Sequence, residues 1–324
     1  MSSTVTSATG TSTTGTPVRK SLGGDAVFAA LCHAAGALVL VLLGGIILAL
    51  FLGGLPAFRA FGPGFIWSTE WDPVQQVFGA GVSVYGTVVT AALAILLAVP
   101  LAFGVAVYLT QIAPIWLRGP VGTAIELLAA VPSIIYGMWG FFLIVPLMAT
   151  TIQPALIDLF GDLPFIGGLF QGPPFGTGIF TAATILAIMI LPFIAATTRD
   201  AFEQVPAVFK ESAYALGATR MEVVRDVILP YTNASVAGGV MLGLGRALGE
   251  TMAVTFVIGN ANRINTSLFG SGNTIASQVA LEFGEAEIGS LKLSSLLALG
   301  FILFVISFIV LALSRVLLRP RLAA

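Results

Sequence analysis

Long apolar runs separated by short stretches rich in Pro, Gly and charge dominate the pattern along this chain. Residues 2–16 are mostly Ser and Thr and cannot bury enough apolar surface to offset their ordering entropy, which predicts a disordered tail over 1–24. The first apolar run, 26–55, is longer than the roughly 7 to 15 residues of a cleaved signal core, and no small-residue cleavage site closes it. It predicts a retained helix, with its following loop completing 25–80. Five more runs, at 81–109, 121–148, 177–196, 235–258 and 293–318, are each long enough to cross roughly 30 Å of hydrocarbon at about 1.5 Å per residue. The expectation is an all-α polytopic membrane protein with six transmembrane helices. Pro100, Pro132 and Pro192 should interrupt three of them, their freed carbonyls being satisfied by neighbouring helices.

Composition agrees: 57% of residues are hydrophobic and 9% charged, against about 25% charged in a soluble domain. A net charge of −1 removes the electrostatic case for binding nucleic acid. Cys32 is the only cysteine and His33 the only histidine, which excludes a disulfide framework and a Cys/His metal site. That adjacent pair reads as helix surface, and no cofactor is predicted. With an even number of spans both ends share a side. If that side is the cytosol, the inner segments hold Arg19, Lys20, Arg118, Arg199, Lys210, Arg220, Arg225, Arg315, Arg319 and Arg321, and the outer ones only Arg59, Arg263 and Lys292. The positive-inside rule therefore predicts both termini, including a short tail at 319–324, in the cytosol of a plasma-membrane protein. Trp67, Glu70 and Trp71 of the first external loop read as interfacial, Glu126 as interfacial near the inner end of the third span, and Lys292 as a snorkelling residue at the outer edge of the sixth.

The segment 199–231 is the longest inner one and carries helix punctuation. Pro206 suits the first turn of a helix running to about Leu216. Gly217 suits the left-handed position after its end, Thr219 with Glu222 makes a capping box for a second helix, and Pro230 is expected to end that helix. Ala213 and Ala215 flank Tyr214 on a face of low relief, suited to a groove on another protein. The series Glu211, Ala213, Gly217, Val227, Leu229 and Pro230 resembles the EAA loop of importer-type ABC transporter permeases, with Ser212 and Val227 replacing the usual Ala and Ile. The resemblance covers the five spans from 81 to 318, the first being an addition. It implies a type I ABC importer permease core over 81–318, with Glu211, Ser212, Ala213, Gly217, Leu229 and Pro230 docking a separate ATPase. No Gly-Lys-Ser/Thr phosphate loop occurs, since the one Lys followed by Ser is Lys20, behind Arg19. ATP hydrolysis is therefore expected of a partner, and no enzyme activity of this chain.

Within 235–258, Gly239, Gly243, Arg246, Glu250 and Ala253 follow helical spacing and should share one face. A charge at mid-bilayer costs roughly 2.5–3.5 kcal/mol, so Arg246 and Glu250 should face a cavity or each other, one turn apart. A self-neutralising packing pair is the alternative. The words GRALGET at 245–251, AVPSIIYG at 130–137 and SLFGSGNTIAS at 267–277 resemble those of the PstC-type permease family of bacterial phosphate importers. That resemblance implies inorganic phosphate as substrate, a PstA-type sister permease, a PstB-type ATPase dimer and a PstS-type phosphate-binding protein outside. It places Arg246, Glu250, Gly243 and Gly239 on the substrate pathway, where Glu250 is expected either to yield Arg246 to the anion or to accept a hydrogen bond from a protonated phosphate oxygen, which sulfate lacks. An ABC permease for another oxyanion or a phosphonate, or a carrier driven by an ion gradient with Glu250 as proton relay, remain the alternatives.

Overall fold

The computed structural model describes residues 24–164 and 166–317. The tails predicted over 1–24 and 319–324 lie outside the described residues, apart from Gly24, which opens the first helix, Gly24–Phe61. Six helical runs are long and apolar enough to cross a membrane: Gly24–Ile66, Gly81–Ile112, Ser133–Phe160, Ile179–Glu203, Arg220–Leu248 and Leu291–Arg315. Below they are the first to sixth spans. The only sheet among the described residues is a small hairpin after the first span, pairing Trp71–Asp72 with Val77–Phe78.

The chain divides into two compact units at Leu48. The described part of the first unit is the N-terminal portion of the first helix, with nearly every side chain exposed. Cys32 is a free, exposed thiol there, and His33 Nδ1 donates to the Ala29 carbonyl at 2.6 Å.

In the second unit the fourth span is the axis. Ile185, Leu186, Met189, Ile190 and Ile194 on it are at most 1% exposed and pack on Ala91, Ala94, Ala98 and Ala102 of the second span. Those alanines recur at helical spacing. Their small side chains let two backbones approach closely, which is how helices associate when lipid is as apolar as leucine. A second core joins Phe65, Phe78, Leu296, Leu299 and Ile302 and seats the hairpin against the sixth span. A third lies beneath the 204–219 loop.

Two spans depart from the hydropathy reading. The run predicted over 121–148 is broken: a helix Ile115–Ala129 ends before Pro132, and the third span starts anew at Ser133. Pro132 lacks the amide that would continue the ladder, and the apolar composition passes through the break without marking it. Pro100 and Pro192, expected to interrupt helices, instead lie inside continuous ones.

The fifth span begins fifteen residues earlier than position 235, at Arg220, because Pro230 does not end the second helix of the loop. It follows a π-helical stretch, Val223–Ile228, and the helix runs on through it to Leu248. Pro146 and Pro154 of the third span likewise each follow a π turn, Gly140–Ile144 and Met148–Ile152. A wider turn shifts the hydrogen-bond ladder where proline has no N–H to give, so the helix survives.

Candidate functional site

The loop between the fourth and fifth spans is built as its punctuation dictates. Its helix is Ala207–Ala215, preceded by Pro206. Gly217 takes φ +88°, its N–H bonds the Tyr214 carbonyl at 2.9 Å, and the N–H of Ala218 bonds the Ala213 carbonyl at 3.1 Å. This crossed pair is a Schellman ending, and the apolar contact that accompanies such endings is present. Ala213 and Ala218 both turn inward onto Phe202, Val205, Val223, Val224 and Ile228. Ala213 is thus half-buried, not part of the open face expected of it. Thr219 and Glu222 form the reciprocal capping box.

Among the charged and polar residues that the loop exposes, Glu211 and Ser212 included, stand large apolar ones: Val208 at 68%, Leu216 at 90% and Met221 at 67%. Leu229 is half-buried and Pro230 exposed at the foot of the fifth span.

At the far end of that span the sequence-predicted residues separate. Gly239 and Gly243 are buried against the fourth span: a Cβ at Gly243 would stand 2.8 Å from Ile194, and one at Gly239 would overlap the Thr197 hydroxyl. Arg246, on the border of that arc, is exposed with Leu242. On this one helix the glycines pack against the fourth span, while the arginine side chain is exposed.

The expected Arg246–Glu250 pair is absent as well. Leu248 ends the helix, Gly249 caps it, and Glu250 lies beyond the last turn. Its Oε1 instead accepts the N–H of Ala253 at 3.1 Å, opening the short helix Met252–Thr255. A glutamate that can serve an orphan donor one step away gains more from that bond than from the ideal helical position opposite Arg246, since Gly249 has already released the backbone. Arg246 joins no ion pair among the described residues. Its compensation is the negative end of its own helix, whose last turn it occupies.

Two interrupted elements meet here. Gly137, in the helix resuming after Pro132, leaves room for the Met252–Thr255 helix: a Cβ on it would stand 2.9 Å from Cα of Ala253. The preceding Tyr136 donates its hydroxyl to the Leu128 carbonyl across the Pro132 break at 2.8 Å and lies within electrostatic reach of Arg246. Tyr136 falls inside the AVPSIIYG word, but nothing in the sequence marked it as Arg246's neighbour. Unwound helix segments facing one another are where membrane transporters expose backbone and charge to a substrate.

Two further sets of charges are structural. Glu126 pairs with Arg199 at 2.7 Å, and Asp200 and Glu203 hold the same guanidinium, which lies over Gly122. Lys292, expected to snorkel, pairs with Glu282 at 3.2 Å, and Glu282 also accepts from the Trp71 indole at 3.1 Å. Trp71 is thereby tied down, while Trp67 is 81% exposed. No cluster of three or more metal-ligating side chains occurs among the described residues.

Residues 98–322 match the family described as binding-protein-dependent transport system inner membrane component. The chain is 56% identical to the phosphate transport system permease protein PstC of Mesorhizobium japonicum, over 91% of this chain and 90% of that one. It is 56% identical to the protein of the same name from Pasteurella multocida, over 86% and 87%. A subunit of a bacterial alginate ABC transporter, crystallised with an alginate-bound periplasmic protein, superposes with a TM-score of 0.59 at 16% identity, over 91% of this chain and 94% of that one, a likeness of fold. With six apolar spans, a Schellman-capped helical loop between the fourth and fifth, and this match across most of its length, the chain is a multi-pass member of the binding-protein-dependent transport system inner membrane component family, with the type I ABC permease fold.

Proposed function

We propose that this chain is the permease subunit of an ATP-driven importer of inorganic phosphate and forms half of the translocation pathway. The observation that carries the reading is the guanidinium of Arg246, exposed at the break of the fifth span with no carboxylate partner among the described residues. An unpaired cation against lipid is costly, so its exposed side faces a sister permease of the PstA type and the anion that passes between them. The relatives named as phosphate permeases, 56% identical over nearly the whole chain, support phosphate as that anion. Glu250 keeps one carboxylate oxygen free when the other caps Ala253. That oxygen accepts a hydrogen bond from a protonated phosphate and repels a fully ionised sulfate. Gly239 and Gly243 serve the pathway indirectly, by holding the fifth span on the fourth.

The loop 199–231 docks a PstB-type ATPase dimer. Its exposed Val208, Leu216 and Met221 enter a groove of the ATPase, with Glu211 and Ser212 at the rim and Gly217 setting the turn. A PstS-type binding protein delivers phosphate on the opposite face, and both termini lie in the cytosol.

The test is uptake of labelled phosphate by cells expressing the full transporter, with unlabelled competitors added. Sulfate, molybdate and alkylphosphonates in about hundredfold excess are expected to leave uptake unchanged. Strong competition by any of them would assign the permease to that anion instead.

A further inference from the structure

On the side of the chain opposite the 204–219 loop, the connections from third to fourth span and from fifth to sixth span are stitched together by main-chain bonds. The N–H of Leu268 bonds the Leu169 carbonyl at 2.9 Å, that of Phe180 the Leu268 carbonyl at 2.8 Å, and that of Gly178 the Val257 carbonyl at 3.0 Å. Between these segments lies a cavity of about 220 Å³, whose wall includes Gln171, Gly172, Arg263, Thr266, Ser267 and Ser271. Arg263 is its only charged lining residue. Among the described residues the Arg263 guanidinium takes part in no ion pair. Gly172, at φ +133°, keeps its part of the wall free of a side chain.

A guanidinium offers a planar fork of N–H donors and no acceptor, and the hydroxyls beside it can donate as well. A hollow with one positive charge, no negative one and several donors beside Pro173, Phe175 and Phe269 suits a tetrahedral oxyanion better than a cation. We propose that this cavity is an outer oxyanion station, where inorganic phosphate rests between release outside and passage to Arg246. The identity of the anion rests on the phosphate reading above; the station itself does not. Arg263 is exposed, so the station is a shallow one that exchanges quickly with solution. Fast exchange suits a relay, because a site that bound the anion tightly would hold it back.

The test uses the complete chain with its co-purifying subunits in lipid nanodiscs, without any extracytoplasmic binding protein, and reads the phosphorus NMR line width of added inorganic phosphate. The wild type is expected to broaden the line saturably and Arg263→Gln to weaken that binding by about tenfold or more. Arg263→Lys should restore part of the binding, because the charge returns without the fork. Saturable binding of molybdate in place of phosphate, lost in Arg263→Gln, would keep the station and overturn the phosphate reading. Phosphate binding unchanged in Arg263→Gln would overturn the station. So would a variant that binds phosphate normally but no longer captures the binding protein, since the cavity would then receive an acidic side chain of that partner.

Discussion

Arg246→Gln is expected to abolish phosphate uptake while leaving the chain inserted and the complex assembled. The side chain is exposed and makes no ion pair among the described residues, so removing its charge leaves none of their carboxylates unpaired. What disappears is the charge-assisted contact to the passing anion, about 3 kcal/mol, or on the order of a hundredfold in rate. Arg246→Lys should remain poor, because a point charge does not reproduce a bidentate fork. Glu250→Gln separates charge from architecture at the neighbouring position. The glutamine carbonyl can still accept the Ala253 N–H, so the Met252–Thr255 helix keeps its start while the negative charge is lost. Its predicted effect is weaker discrimination against sulfate, measured as competition in the uptake assay. If Arg246→Gln carried phosphate at the wild-type rate, the break in the fifth span would be a packing device.

The second large effect is predicted at Gly217. Its φ of +88° is one that a β-branched residue adopts only under strain, on the order of 1–2 kcal/mol. No atom lies within 4 Å of where a Cβ would stand, so Gly217→Val meets no clash and acts through the backbone alone. Relieving the strain breaks the Gly217–Tyr214 and Ala218–Ala213 bonds and displaces Leu216 and Met221, two exposed apolar groups of the docking face. Insertion into the membrane should be unchanged, and association of the ATPase, read by co-purification, should fall by about tenfold. Gly217→Asn provides the control, since asparagine tolerates the left-handed region and should keep both turn and docking. Normal association in Gly217→Val would remove the loop from the coupling role.

Much of this was legible because local chemistry and global fold agree. The positive φ of Gly217 and the Thr219–Glu222 capping box are each set within a few residues, where spacing and residue type carry the information. The failures occur where hydropathy has no resolution. Ala129 to Ser133 is apolar on both sides of the break, so only Pro132 marked it, and Pro100 and Pro192, marked by the same residue, did not break. At the break the Leu128 carbonyl, left without an N–H from Pro132, takes the Tyr136 hydroxyl at 2.8 Å instead, a contact that hydropathy does not mark. At Arg246 and Glu250 an ideal 100° wheel was carried across a helix end. Gly249 was the available signal: glycine just past a periodic run, then a carboxylate three residues before a free amide, reads as one helix stopping and another starting. The pairing of Glu282 with Lys292 and Trp71, and of Arg199 with Glu126, joins separate elements of the chain, and periodicity cannot report such contacts.

The most direct test of ATP-driven phosphate import through this permease is a reconstitution. The chain, its sister permease and the ATPase are placed in sealed liposomes with ATP on the ATPase side and phosphate-loaded binding protein on the other, and labelled phosphate is counted in the compartment that holds ATP. Accumulation that needs hydrolysable ATP, persists when protonophore and ionophore collapse every ion gradient, and disappears with Arg246→Gln is the predicted result. Accumulation driven by an imposed proton or sodium gradient in the absence of ATP would contradict it.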